Sequence, residues 1–273
     1  MKVYSEMLNI QRAKDRKKLM IEELKSRNIT AQFFEGTDFK NTEKQELLKY
    51  CMESGPWGNI QAPEMAIVTS HVKAWERFLR SDADICFIME DDVFISEELE
   101  QWLSDLSWLP EDAEIIKLEC WVEKLDGRGA VLFEVPGTRH LNRKVKKLLT
   151  RHMGAAGYLI TRKAVEKLIN FKPFNLVADH ILFNINASKM AREMNIYQII
   201  PALIIQGNEP TNSDSYIGNR NNKSQIRGFN WLQQEFRRGR YEISVPIKTI
   251  LKYIFGKARF ELITYKNKAI DKN

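Results

Sequence analysis

Cysteine is scarce. Three residues, Cys51, Cys86 and Cys120, are spread through 273, which gives no metal-ligand spacing and no disulfide framework. Their odd number fits reduced thiols. Cys86 and Cys120 lie inside apolar runs and are expected to pack in the core. No stretch of about 18 apolar residues occurs, so no membrane-spanning helix is expected. The opening Met1-Lys2-Val3-Tyr4-Ser5-Glu6-Met7 lacks an apolar signal core, so export is not expected. With 13 Gly and 8 Pro a collagen-like chain is excluded. Also missing are GxGxxG and GxxxxGK phosphate loops, a G-x-S-x-G nucleophile elbow, and HExxH or zinc spacing among His71, His140, His152 and His180. Dinucleotide-binding, P-loop, serine-hydrolase and zinc-protease readings therefore lose their usual warrant.

What is present is a foldable and unevenly charged chain. Apolar residues make 44%, with 6 Trp, 8 Tyr and 14 Phe, enough to bury a sizeable core and to exclude wholesale disorder. The net charge is +6, but residues 219–273 carry 13 Lys/Arg against 4 Asp/Glu. The remainder is close to neutral. A basic tail behind a neutral body points to an anionic partner for the tail.

Apolar patterning alternates between strand and helix. Residues 2–10 read as a strand, Lys14 to Arg27 as a helix and Thr30–Phe34 as a strand. Pro63 opens a strong helix to Arg80, with Met65, Val68, Val72, Trp75 and Leu79 at helical spacing. Ile85-Cys86-Phe87-Ile88-Met89 suits a buried strand, and Ser96 is positioned to cap the helix containing Leu99 and Leu103. Ala113–Cys120, Ala156–Thr161 and Ile196–Ile200 read as strands. Lys163–Phe171 and Asp179–Met194 read as helices, and 207–228 as a loop. Six Lys/Arg and no acid lie between Arg139 and Arg151. This alternation predicts an α/β fold around a mostly parallel sheet flanked by helices. Ligands of such sheets bind at the carboxyl ends of the strands.

Glu90-Asp91-Asp92 stands at such an end. Three adjacent carboxylates beside a dry strand repel one another, and a divalent cation would remove that cost. Mg²⁺ or Mn²⁺ takes one or two carboxylates and leaves positions for substrate phosphates. A solvated turn capped by aspartates is the plainer alternative.

The order of several blocks resembles glycosyltransferase family 25, the lipooligosaccharide and lipopolysaccharide glycosyltransferases. Leu8-Asn9-Ile10 with Arg12 and Arg16 is similar to the family's opening strand and helix start. Glu64 to His71 resembles its Glu-x-Gly-Cys-x-x-Ser-His segment, with Ala66 and Ile67 in place of Gly and Cys. Ile88-Met89-Glu90-Asp91-Asp92-Val93 is similar to its Glu-Asp-Asp core. Ala156 to Thr161 with Ala164, then Asp179, then Pro201 to Gln206 complete the series. The resemblance spans about residues 3–206. Glu6, inside the first strand, is unusual for it.

The resemblance implies a GT-A-like fold, a nucleotide-sugar donor such as a UDP-sugar, Mn²⁺ or Mg²⁺, and inverting transfer of a hexose, with galactose the expected one. On that basis Asp92 is the first candidate metal ligand, with Glu90 or Asp91 on metal or ribose. Asp179 is the candidate general base, since inversion needs a carboxylate to take the acceptor proton; capping a helix is its alternative. Ser70 and His71 are candidates for the donor diphosphate or sugar. His180 or His152 would complete the metal site or meet phosphate. Asn9 and Arg16 would meet nucleotide base and phosphates. Lys117, charged within an apolar strand, would reach a cleft or an acid partner, and Gln206, ending the last apolar strand, would line the acceptor side.

Two domains are expected: residues 1–215 catalytic, and 216–273 a basic, aromatic extension with a short amphipathic helix at 246–255. Such a segment can lie on anionic lipid, which fits a lipid-linked oligosaccharide acceptor and a cytoplasmic enzyme peripheral to the inner membrane. No nucleic-acid motif accompanies the charge. The rival from another class is a catalytically silent carbohydrate- or nucleic-acid-binding protein on the same fold.

Overall fold

A computed structural model describes residues 1–120, 129–207, 236 and 247–268. In chain order its elements are β1 (Val3–Asn9), α1 (Lys14–Ser26), β2 (Gln32–Glu35), α2 (Lys44–Leu48), β3 (Ser54–Gly55), β4 (Gly58–Asn59) and α3 (Ala62–Leu79). Next come β5 (Ile85–Glu90), β6 (Val93–Ile95), α4 (Leu99–Ser104), β7 (Ile115–Lys117), β8 (Glu119–Cys120), β9 (Gly129–His140), β10 (Arg143–Leu148) and β11 (Gly157–Thr161). Then follow α5 (Arg162–Ile169), α6 (Ala178–Phe183), α7 (Lys189–Arg192), β12 (Ile196–Ile200), β13 (Ile204–Gln206), α8 (Ile247–Phe255) and β14 (Ala258–Leu262).

The expected α/β class holds, but the sheet is mixed rather than mostly parallel. Nine strands run in the order β14-β9-β10-β12-β7-β11-β5-β1-β2. β1–β2, β1–β5 and β7–β12 are parallel; the other five pairings are antiparallel. β11 causes part of the departure, because it runs backwards between β5 and β7. Alternate residues of the strands feed two cores, as period-two side chains must. Leu8, Cys86, Ile88, Tyr158 and Ile160 meet α3, α5 and α6 on one face. Met7, Phe87, Met89 and Leu159 meet Met20 and Leu24 of α1 and Trp102 of α4 on the other. All three cysteines are free and buried.

Several expected elements are divided. Ala113–Cys120 splits at Leu118, whose carbonyl accepts the Leu203 and Ile204 N–H groups at 2.9 and 3.0 Å. The chain thereby leaves the large sheet for a three-stranded one, β6-β13-β8. The helix expected over 179–194 breaks at Asn184, whose side-chain oxygen accepts the Ala187 N–H at 3.1 Å. Ser188 then opens α7, accepting the Ala191 N–H at 3.1 Å. Ser96 begins the turn into α4, accepting the Glu98 N–H at 3.2 Å, and its own O–H donates to the Asn267 carbonyl. The basic stretch 139–151 is partly internal: Arg143 and Lys146 are buried.

The boundary expected at residue 215, the loop over 208–228 and the basic-aromatic run 229–235 and 237–246 lie outside the described residues. The helix expected at 246–255 forms as α8. Beyond it, β14 pairs with β9 as an edge strand of the central sheet. Among the described residues, no helix is long and apolar enough to cross a membrane.

Candidate functional site

The sheet's geometry gathers the site at one edge. β1 and β5 are parallel, so Asn9 and Glu90 end together. β7 runs in the same direction, because both it and β5 are antiparallel to β11, and Lys117 ends at the same edge. Gln206 of β13 pairs with Val93, next to Asp92. Gly207 follows, donating its N–H to the Asp92 carbonyl at 2.7 Å. A Cβ at Gly207 would come within 2.9 Å of the exposed Phe94 ring and 3.3 Å of the Asp92 carbonyl, so a larger residue there would make that ring shift.

The acidic triplet is partnered at every member. Asn9 Nδ2 donates to Asp91 Oδ2 at 2.6 Å. The Arg16 guanidinium bridges two carboxylates, 3.0 Å from Asp91 Oδ1 and 3.3 Å from Asp92 Oδ2. Gln206 Nε2 donates to Asp92 Oδ2 at 3.3 Å and reaches Glu90 Oε2 at 3.5 Å. His71 Nε2 lies 3.5 Å from Glu90 Oε1. Seven residues singled out from sequence thus meet: Asn9, Arg16, His71, Glu90, Asp91, Asp92 and Gln206.

One Arg does not balance three carboxylates. Burial pushes the Asp91 carboxyl up to about 7, against the pull of Arg16 and with the Asp92 charge adding to the rise. Glu90 is raised by burial, then by the Asp92 and Asp179 charges. Asp92 is raised by burial. These groups hold protons in the folded chain that they release when unfolded. Their contribution to stability is therefore full below about pH 4 and falls as pH rises toward 7. Melting at pH 5 and pH 8 checks this: Tm is expected to drop by roughly 4 °C, for about 2 kcal/mol, and Asp91→Asn to recover much of the loss. A Tm that rises over that range, or an Asp91→Asn chain with the parent's profile, refutes the account.

His71 is fully buried on α3. Burial depresses its imidazole to about 4, opposed by the Asp179 and Glu119 charges, so the ring is neutral at neutral pH. Trp75 Nε1 donates to the Tyr158 hydroxyl at 2.9 Å, and that hydroxyl lies 2.9 Å from His71 Nδ1. With the hydroxyl oxygen already accepting from Trp75, its proton is assigned to Nδ1. This leaves the His71 Nε2 proton facing Glu90.

Lys117 and Glu119 were only half visible in the sequence. Two positions apart on an extended chain, they share a face. Lys117 Nζ pairs with Glu119 Oε2 at 3.0 Å and donates to the Gly154 carbonyl at 2.5 Å. Glu119 also accepts the Ala156 N–H at 2.9 Å. Gly154 has φ of +89°, and a Cβ there would come within 2.4 Å of Glu119 Oε1, so glycine is required on both counts. The Gly154 N–H points to Asp179 Oδ2 at 3.5 Å. Asp179 Oδ1 accepts the His180 N–H at 2.8 Å, and its charge acts on both Glu90 and His71. Glu119, Tyr158 and Trp75 are site-supporting residues that sequence reasoning missed. The same-face pair Lys117/Glu119 was the available signal.

Other expected residues go elsewhere. Ser70 donates its hydroxyl to the Ala66 carbonyl and accepts the Thr37 N–H, both at 2.8 Å, which ties α3 to the turn after β2. His180 sits edge-on to Trp57 with ring centroids 4.9 Å apart, and its Nδ1 meets Asn184 Nδ2 at 3.0 Å. His152 is buried, and its backbone N–H donates to the Phe183 carbonyl at 3.3 Å. Among the described residues, no group of three His, Cys, Asp or Glu side chains is arranged to hold a metal ion. The expected Asp92–Glu90–His180 ligand set is therefore not assembled. What the edge does offer is carboxyl oxygen from Asp92 and Glu90, both in reach of one Gln206 amide, with three carboxyls to one Arg among the described residues. That donor chemistry fits a hard cation taking one or two carboxylates.

Sequence comparison decides the family. The profile described as Glycosyltransferase family 25 (LPS biosynthesis protein) matches residues 5–182. The chain belongs to this family. Relatives carry matching names. The Haemophilus influenzae lipooligosaccharide biosynthesis protein lic2B is 25% identical over 211 residues, 73% of this chain and 74% of its own. The Neisseria gonorrhoeae lacto-N-neotetraose biosynthesis glycosyltransferase LgtE is 27% identical over 210 residues, 73% of this chain and 72% of its own. A further Haemophilus influenzae protein, named as a glycosyltransferase, is 24% identical over 195 residues, 70% of this chain and 66% of its own, just under two thirds. Among solved structures, a glycosyltransferase involved in glycosylation of the major capsid of PBCV-1 is 10% identical, with a TM-score of 0.35 over 87% of this chain and 100% of that one. As a family 25 member, the chain has its matched segment running from β1 through the triplet to α6.

Proposed function

We propose that this family 25 chain is an inverting, GT-A-like hexosyltransferase. It moves a hexose, galactose being the first choice, from a UDP-sugar to a lipooligosaccharide or lipopolysaccharide core. The observation that carries the reading is the triplet at the sheet's carboxyl edge, held by Arg16, Asn9 and Gln206 and, among the described residues, short of positive charge. The relatives' names, lipooligosaccharide and lacto-N-neotetraose biosynthesis, support the acceptor class. The same reading makes the enzyme peripheral at the cytoplasmic face of the inner membrane, with the basic extension from 216 onward toward anionic lipid.

In this reading Asp92 with Glu90 would hold Mn²⁺ or Mg²⁺, which when bound neutralises charge on the departing nucleoside diphosphate. Arg16 supplies fixed positive charge at the same edge, and Asn9 fixes Asp91. Neutral His71 presents an N–H to Glu90, held by Tyr158 and Trp75. Asp179 accepts the proton of the acceptor hydroxyl. Its orientation is set by the Gly154 N–H and its own helix start, and Lys117 secures Gly154 from the other side.

Calorimetric titration of UDP and UDP-hexoses, with and without Mn²⁺, tests this on the parent chain and on Asp179→Asn. Metal-dependent UDP binding is expected in both. Transfer to a core oligosaccharide should fall about 10²-fold in Asp179→Asn alone. A folded chain that binds no UDP-sugar, or binds without turnover under any metal, sinks the proposal in favour of a silent binding protein.

A further inference from the structure

The helix α8 wears its apolar side outward. At about 100° per residue, Ile250, Leu251, Tyr253, Ile254 and Phe255 fall on one broad arc. A helix packed on a protein core covers such an arc. Here all five apolar residues are exposed, Ile254 at 62% and Phe255 at 82%. The adjoining β14 adds Phe260 and Leu262, both more than half exposed. Over residues 247–268 there are five Lys and one Arg against a single acid, Glu261. That acid is paired with the Lys146 ammonium. The patch is not a loose appendage, since β14 pairs with β9 along its whole length.

We infer that the α8–β14 surface docks on an anionic lipid bilayer. The exposed aliphatic and aromatic side chains would enter the headgroup boundary, and the cations, Lys257 and Arg259 among them, would meet lipid phosphates. Charge complementarity selects this occupant. A second copy of the chain would bring the same excess of Lys and Arg to the contact, whereas a bilayer supplies apolar depth and negative charge together. In the sheet order, β14 stands six strands from β5, roughly 29 Å at the usual spacing between neighbours. A membrane-held acceptor would have to reach across about that distance to the triplet. The purpose of the docking rests on the proposed lipid-linked acceptor; its chemistry does not.

Flotation of the full chain with vesicles tests it without donor or acceptor. Vesicles of phosphatidylcholine alone are compared with vesicles containing one third phosphatidylglycerol, at physiological and at high salt. Binding is expected on the anionic vesicles and not on the neutral ones, weakened by salt. Ile254→Ser with Phe255→Ser should weaken it roughly tenfold. Leu19→Ser, an exposed apolar residue on α1, should bind like the parent. Because these side chains are exposed, the Tm of each variant should stay with the parent, which separates lost docking from lost folding. Parent-like binding by the double variant, equal binding to neutral vesicles, no binding by the parent, or a dimer that the double variant dissociates would each overturn the inference. Failure here leaves UDP-sugar binding untouched, and failure of UDP-sugar binding leaves flotation untouched.

Discussion

Asp92→Asn is expected to abolish about 10³-fold of transfer and to leave a chain that melts no lower than the parent. The two halves of that result have one origin. Asp92 meets Arg16 at 3.3 Å and Gln206 at 3.3 Å. Both contacts survive in weaker form with an amide oxygen. What disappears is a negative charge that burial already penalises and that helps raise Glu90. Removing it relieves the folded state, as charge-neutralising changes at strained active sites commonly do. Catalysis loses the carboxylate proposed to anchor the cation, a contribution of several kcal/mol to the transition state. Paired measurements of turnover and Tm decide it. Turnover within about tenfold of the parent would remove Asp92 from the mechanism. A large fall in Tm together with lost turnover would make Asp92 a structural residue instead.

The contrast between Asp92 and Glu119 shows where sequence reading works. The run Ile85–Met89 is apolar on both faces, so a buried strand ending at Glu90 was legible from composition alone. The rule that ligands sit at strand carboxyl ends then pointed to the triplet. Asn9, Arg16 and Gln206 followed from the order of the family's blocks. Glu119 belonged to no such block, and its one signal was the face it shares with Lys117. It lies in a two-residue strand of the small sheet, and only the crossing at Leu118 brings it under Gly154. Ser70 is the opposite case: it sits in a recognisable block, yet its hydroxyl is consumed by the Ala66 carbonyl and the Thr37 N–H. The mixed sheet escaped for a related reason. Strand direction depends on the crossovers before and after β11, and an apolar run reads the same in either direction.

The same limit hid the role of Arg143, for which the second large effect is expected. From sequence it belonged to a basic stretch. In the structure it is fully buried and joins four distant segments. Its guanidinium donates to Glu98 Oε2 at 2.7 Å, to the Pro201 and Ala202 carbonyls at 2.9 Å, to Ser96 Oγ at 3.0 Å and to the Lys266 carbonyl at 2.7 Å. Only a planar fork with five N–H donors can serve this many acceptors at once. Arg143→Ala leaves the buried Glu98 carboxylate and three carbonyls without their donor. The expected cost is roughly 4 kcal/mol, about 10 °C in Tm. Arg143→Lys keeps the charge but cannot span the partners, and should recover less than half. Glu98→Gln added to Arg143→Ala should recover part of the loss, because the stranded charge is gone. Amide exchange supplies the local reading: Ala202 and the 264–267 segment, where the Ala202 N–H donates to the Thr264 carbonyl at 2.7 Å, should lose protection before β1 and β5 do. An Arg143→Ala chain within about 1 kcal/mol of the parent would mean that water replaces the guanidinium. The C-terminal segment would then be held by the β14–β9 ladder, the buried Ile263 and the Ser96–Asn267 and Ala202–Thr264 hydrogen bonds.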